Sequence, residues 1–231
     1  MERIDVDFNF FEDTPPGKDP DSYSPTLRRY HQLLWSKPLP SGRSFELQAG
    51  RAKSPYLTYE SNGTRYVLAS DTIASRHRKA LSGLFEQVPD EVNESFLRRS
   101  YTICGFMIFP MGRPGQSLNQ ARGVHPSIRD RWDLTLEAIR RFYEGETSPL
   151  SRVLDNYADY FELFESFQGF VSHFLLDDFL DGHGDVRFLL PFHDFSGPAL
   201  PGDLESYLDY RSANLALFEA RRDRIAAAVA G

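Results

Sequence analysis

Between Pro126 and Gly145, apolar residues recur at Ile128, Trp132, Leu136, Ile139 and Tyr143, in steps of three and four. That spacing returns to the same side of an α-helix on every turn, so it predicts a helix with one face that must be buried. Ser127 is the expected N-cap and Asp130, three residues on, the expected capping-box acid. Gly145 is the expected terminator, and Ser148-Pro149 opens the next element. Any fold open to this chain has to cover that face. It then carries the polar loop ahead of the helix, from Asn119 onward, beside the core.

The same stretch concentrates charge. Arg122, Arg129, Arg131, Arg140 and Arg141 share it with Asp130, Asp133 and Glu137. Guanidinium groups bind phosphate and carboxylate bidentately, which lysine does less well. On this reading Asn119, Arg122, Arg129, Arg131 and Arg140 hold an anionic ligand. The free amides of the first helical turn assist, and Asp130, Asp133, Glu137 or His125 supplies acid–base chemistry if there is any. A second reading uses the same residues as a solvated ladder. Arg129–Asp133, Glu137–Arg141 and Glu137–Arg140 are oppositely charged neighbours at helical spacing, each worth a few tenths of a kcal/mol. In that case Asp130 is only a cap and His125 only a loop residue.

The remaining elements read unevenly. Ile4, Val6, Phe8 and Phe10 alternate with polar residues, which predicts a strand within an extended arm, residues 1–22. Ser24-Pro25 starts a helix that Pro38 and Pro40 stop. Tyr56–Tyr59 and Arg65–Ala69 flank Asn62-Gly63, a strong hairpin signal. A helix is expected over 72–85, holding Arg76-His77-Arg78-Lys79 on a solvated face, with an acidic turn at 89–94. Tyr101–Phe109 reads as a buried central strand ended by Pro110, and 111–124 as a long loop. Helices follow over 149–166 and 168–181, with a break near Gly169. A strand is expected over 186–190. A last helix from Asp203 ends in the weakly apolar residues 220–231, expected to fray. Strands and helices do not alternate, so the expected fold is a single α+β domain over 1–231. Its small, mainly antiparallel sheet is packed by helices, and its C-terminal half is helical.

Composition narrows the class. One cysteine, Cys104, in 231 residues leaves no intramolecular disulfide, which points to a reducing, cytoplasmic setting. No apolar run approaches the ~20 residues of a membrane span, and MERIDVDFNF has no secretory apolar region. A net charge of −7 argues against a general nucleic-acid binder. The charge is uneven, however. Residues 98–141 hold eight arginines against three acids, and 150–210 hold two against twelve. Phosphate-loop, dinucleotide, zinc-protease, nucleophile-elbow and paired Cys-x-x-Cys motifs are absent. His173, Asp177, Asp178, Asp181 and His183 fit no metal spacing, so no metal ligand and no cofactor is assigned. Cys104, beside Gly105 in an apolar run, reads as a buried thiol. Trp35 to Pro38 reads as a helix end anchored by its tryptophan.

Three segments carry a resemblance: DPDSYSPTLRRYHQLLWSKPLPSG (19–42), NQARGVHPSIRDRWDLTLEAIRRFYEGETSPL (119–150) and FQGFVSHFLLDDF (167–179). They resemble a family of uncharacterised bacterial and phage-associated proteins, DUF6994-like, over most of the chain. The resemblance brings no catalytic residues. Its association with mobile elements implies a nucleotide- or nucleic-acid-directed effector, or an inhibitor of one. The expected function is binding of a phosphorylated ligand, a nucleotide or nucleic-acid end, through 119–141. Two readings stand beside it: a protein-interaction module whose arginines are structural, and a nucleotide-modifying transferase.

Overall fold

The computed structural model describes residues 4–50 and 57–230. Its centre is a four-stranded antiparallel sheet in the order β1 (Gln48–Ala49), β2 (Leu57–Ser61), β3 (Thr64–Thr72), β4 (Phe106–Met111). Asn62 and Gly63 join β2 to β3 with φ of 50° and 77°. Positive φ at both turn positions matches the right-handed twist of the flanking strands. The hairpin expectation holds, although Tyr56 lies outside the described residues.

Helices fill the rest, and the fold is α+β. α1 (Pro20–Tyr23) and α2 (Pro25–Trp35) precede the sheet, with Ser24 capping α2 through its hydroxyl. α3 (Ser82–Phe85) and α4 (Asp90–Ser100) lie between β3 and β4. α5 (Leu118–Val124) and α6 (Trp132–Glu144) follow β4. Then come α7 (Ser151–Asn156), α8 (Ala158–Phe161), α9 (Phe167–His173) and α10 (Leu204–Ala230). Buried apolar residues form a core cluster that extends from Ile4 to Ile225. No helix among the described residues is long and apolar enough to cross a membrane.

Several expectations are corrected. Residues 4–10 are turns, not a strand: Phe8 N–H donates to Asp5 O at 3.2 Å, and Asp5 and Asn9 side chains bind Asp7 and Phe11 amides. Short polar side chains that satisfy nearby amides compete with a ladder, so the arm folds back and buries Ile4 and Phe10. The 72–85 helix shrinks to α3, because β3 continues to Thr72 by pairing with Phe106. The acidic turn at 89–94 is instead the start of α4. Asp90 and Glu91 stand in its first turn and Arg98 and Arg99 in its last, each complementing the helix dipole.

The 101–109 strand begins later, after a 3₁₀ turn at Ile103–Gly105, and passes through Pro110 as an edge strand rather than a central one. On its outer side an edge strand has no ladder partner for the proline to deprive, and Pro110 still stands opposite Leu68 in the pairing with β3. Gly105 is obligatory here, since a Cβ would sit 1.9 Å from Ser100 O. The loop 111–124 contains α5, started by a capping box of Ser117 and Gln120. The 149–181 region is several short helices, and its break falls at Glu165 (φ 65°), with Gly169 inside α9. Residues 186–190 make only an isolated bridge, Val186 to Leu180.

α10 closes the structure. Its buried residues are Tyr207, Tyr210, Arg211, Asn214, Leu217, Phe218, Arg221 and Ile225, one stripe along its length. Arg221 has no exposed surface and among the described residues meets no carboxylate. It donates to Cys104 O (2.8 Å), Phe106 O (3.1 Å) and Phe174 O (3.0 Å). Burial lowers its pKa to about 10, still charged at neutral pH. One side chain thus ties α10 to the start of β4 and the end of α9. Arg221→Ala orphans three buried carbonyls and opens a cavity. At about 1–3 kcal/mol for each orphaned group, the expected loss is about 3 kcal/mol or more in urea unfolding, and a loss under about 1 kcal/mol would refute the staple.

Beside Arg221, a buried polar chain runs from Trp35 Nε1 to His31 Nδ1 (2.9 Å), from His31 Nε2 to Ser70 Oγ (3.0 Å), and from Ser70 Oγ to Asp21 Oδ1 (3.2 Å). The indole can only donate, so Nδ1 accepts, Nε2 carries the proton, and Asp21 is the terminal acceptor. Burial, with the nearby Arg221 charge, lowers the His31 pKa from 6.5 to about 3. The folded state keeps the ring neutral, while the unfolded chain takes up a proton below pH 6.5. Stability from His31 is therefore complete above that pH and lost as pH falls toward 3. At about 1.4 kcal/mol per pH unit, the stability difference between pH 7 and pH 5 should be about 2 kcal/mol smaller in His31→Gln. An unchanged difference in urea titrations would contradict the buried neutral assignment.

Candidate functional site

The helix start at Ser127 does not form. After α5 the chain makes a tight turn in which Arg129 N–H donates to His125 O (2.8 Å) and Asp130 N–H to Arg122 O (2.8 Å). Arg129 and Asp130 take φ of 48° and 64°, the left-handed region. α6 begins only at Trp132, with Arg131 as N-cap. Asp130 is consequently no capping-box acid. Its side chain turns back onto Arg122.

Arg122 is the hub. Its side chain has no exposed surface. Nη1 lies 2.9 Å from Asp71 Oδ2, 2.6 Å from Asp130 Oδ1 and 3.3 Å from Thr72 O. Nη2 donates to Asp130 O at 3.2 Å and Nε to Thr135 Oγ1 at 3.3 Å. The guanidinium also sits 5.5 Å from the Phe109 ring centre. It therefore gathers β3, α5, the 129–131 turn and α6. Burial pushes the Asp71 carboxyl up to about 7, against the pull of Arg122 and with the Asp130 charge adding to the rise.

The other expected residues go elsewhere. Arg131 and Asp133 are both buried and bind each other bidentately, with Arg131 Nη1 also on Ala199 O (3.2 Å) and Leu189 N–H on Asp133 Oδ2 (2.9 Å). Glu137, only 3% exposed, receives Arg140 through two bonds (2.8 and 2.9 Å) and Arg141 at 2.9 Å. The expected ladder partly forms, but inside the protein: α6 is buried from Trp132 to Ile139 rather than along one face. Asn119 stands in the first turn of α5, its Oδ1 buried without a partner among the described residues. His125 Nδ1 accepts from Ser127 N–H (3.2 Å), and the ring lines a separate furrow of about 470 Å³ with Gln116 and Arg152. Of the residues singled out in the sequence, Arg122, Arg129 and Asp130 come together. Arg131, Arg140, Asp133, Glu137, Asn119 and His125 do not join them.

What they join is a depression of about 320 Å³ over the hub, between the 72–80 segment and the 123–130 turn. Arg76, Arg78, Lys79 and Arg129 line it, together with Asp130 and Tyr101. Among the described residues none of these four cations is paired with a carboxylate. Arg122 is already neutralised by Asp130 and Asp71, so the four are the uncompensated charge. His77, at φ 50°, lines the same wall. Of eight positive-φ non-glycine residues among those described, three (His77, Arg129 and Asp130) meet at this one depression. Each costs about 1–3 kcal/mol and persists only where its surroundings hold it. At His77 α10 does the holding: Tyr207 Oη donates to Arg76 O (2.6 Å), and Tyr210 Oη lies 3.2 Å from His77 Nε2; at Arg129 and Asp130 it is Arg122, through Asp130 Oδ1 and Asp130 O. Burial lowers the His77 pKa to about 4, so the ring is neutral.

The basic run Arg76–Lys79 is visible in the sequence, yet its apposition to Arg129 is not. The link depends on a left-handed turn at residues that seldom adopt one. Asp71, Thr135, Tyr207 and Tyr210 carried no local signal at all. The described residues hold no cluster of three or more His, Cys, Asp or Glu suited to a metal ion. No curated protein and no solved structure matches the chain. Residues 4–225 match the model of a family of unknown function, DUF6994, and the chain belongs to that family.

Proposed function

We propose that the protein binds a phosphorylated small molecule in the depression between Arg76 and Arg129. The observation that carries the reading is the set of four cations, Arg76, Arg78, Lys79 and Arg129, gathered without carboxylate partners around one concave surface. Like charges held together repel one another unless an anion sits among them. Three of the four are arginines, whose planar forks suit phosphate oxygens. The strained backbone at His77, Arg129 and Asp130 supports the same place, because such strain clusters where a ligand is held. Asp130 is the one expected acid that lines this depression, and Arg122 fixes its carboxylate. Asp133 and Glu137 are sealed inside the fold by their own arginines, which argues against a catalytic part for either. A protein-interaction module has one observation in its favour, a largely apolar furrow of about 370 Å³ between α4 and α10 at Phe96 and Leu215. It leaves the four cations unexplained.

The test is calorimetric titration with orthophosphate, ribose 5-phosphate and nucleoside monophosphates at low ionic strength. Arg76→Ala and Arg129→Ala are each expected to weaken binding about ten-fold, the loss of one charge-assisted hydrogen bond. Arg140→Ala, which removes an arginine held by Glu137, should leave affinity unchanged. Raising the salt should weaken binding, since these rim charges are open to screening. Absence of binding across the panel, or equal affinity in Arg129→Ala, overturns the reading.

A further inference from the structure

A second depression, of about 500 Å³, adjoins the first, and Arg78 and Lys79 line both. Beyond those two residues its character changes. Phe85 and Val88 give it apolar surface, and Glu86 and Asp90, both exposed, give it negative charge. Phe85 also connects the two halves: the guanidinium carbons of Arg76 and Arg78 lie 5.9 and 5.2 Å from its ring centre. Together the two depressions carry four cations (Arg76, Arg78, Lys79 and Arg129), an aromatic ring (Phe85) and, in the second depression alone, the carboxylates of Glu86 and Asp90.

That combination specifies a ligand. The cations take a phosphate. The Arg76 and Arg78 guanidinium groups, which lie over the Phe85 ring, extend that aromatic patch as stacking partners for a flat heterocycle. Ionised carboxylates only accept hydrogen bonds, so whatever reaches Glu86 and Asp90 must present donors. Small-molecule sites commonly span about 300–1,000 Å³, and the second depression falls in that range. Resting on the anion site proposed above, we infer that the two depressions form one groove for a nucleoside monophosphate whose base carries an amino group. The phosphate lies between Arg76 and Arg129, and the base lies on Phe85 with its donor edge toward Glu86 and Asp90. Guanine fits best, because its ring N–H and adjacent amino group present two parallel donors to one carboxylate. Uracil fits worst, since its single N–H lies between two carbonyls.

Calorimetric titration of the full chain with GMP, UMP and ribose 5-phosphate separates the outcomes. GMP is expected to bind at least ten-fold more tightly than UMP or ribose 5-phosphate. The Glu86→Ala/Asp90→Ala double variant should remove that advantage while binding ribose 5-phosphate no more weakly than the parent. Both residues are exposed, so the variant keeps the core, and circular dichroism checks that it is folded. Equal affinity for all three ligands overturns the base site and leaves the anion site standing. No binding by any of them overturns both. A GMP preference that survives the double variant removes the two carboxylates from recognition and overturns the inference as stated.

Discussion

A guanidinium with no exposed surface has to find every partner inside the protein, and Arg122 finds them on β3, on the 129–131 turn and at the start of α6. Taking such a charge out of water costs several kcal/mol unless its donors are met. The segments around it are therefore not free to choose their conformations separately. The turn after α5 accepts left-handed φ at Arg129 and Asp130 because the alternative strands Arg122. The hydrogen-bonded Asp130 carboxylate lies on the inner side of that turn and the Arg129 side chain on the open side. The hub explains how a buried ion cluster can shape an exposed cationic surface without adding positive charge to it.

Arg221 solves the same problem differently. Among the described residues its acceptors are all neutral, three main-chain carbonyls and the Met107 sulfur, so it relies on the dipoles at the ends of a strand and a helix. Its charge lies near enough to His31 to help hold that ring neutral. The two buried arginines serve different joints. Arg122 orders the loops beneath the depression, and Arg221 fixes the long helix whose Tyr207 and Tyr210 clamp the basic segment from behind.

Local chemistry made much of the fold legible. Asn62-Gly63 announced the hairpin, Ser24-Pro25 announced α2, and the spacing of Trp132, Leu136 and Ile139 announced α6. The misreadings have a common cause, a local signal overruled by a distant partner. Ser127 and Asp130 form an acceptable cap on paper, but Asp130 is claimed by Arg122. Residues 72–76 have a helical look, but β4 extends β3 to Thr72. Asp133 and Glu137 read as surface charges because sequence does not reveal that both are buried, Asp133 with Arg131 and Glu137 beneath the half-buried Arg140 and Arg141. For the site, the sequence supplied both halves, the Arg76–Lys79 run and the Arg129 turn. It could not supply their meeting, which depends on contacts to residues 122, 207 and 210.

The clamp on the basic segment spans 131 residues of chain, from Tyr207 to Arg76. On a ribosome adding about 5–20 residues per second, the clamp arrives roughly 7 to 26 seconds after the segment it holds. During that interval Arg76, Arg78 and Lys79 belong to a nascent chain without its closing helix. A ligand that needs the finished groove can then discriminate between complete and incomplete polypeptides. Nascent chains stalled before α10 would display the cations without the geometry that organises them.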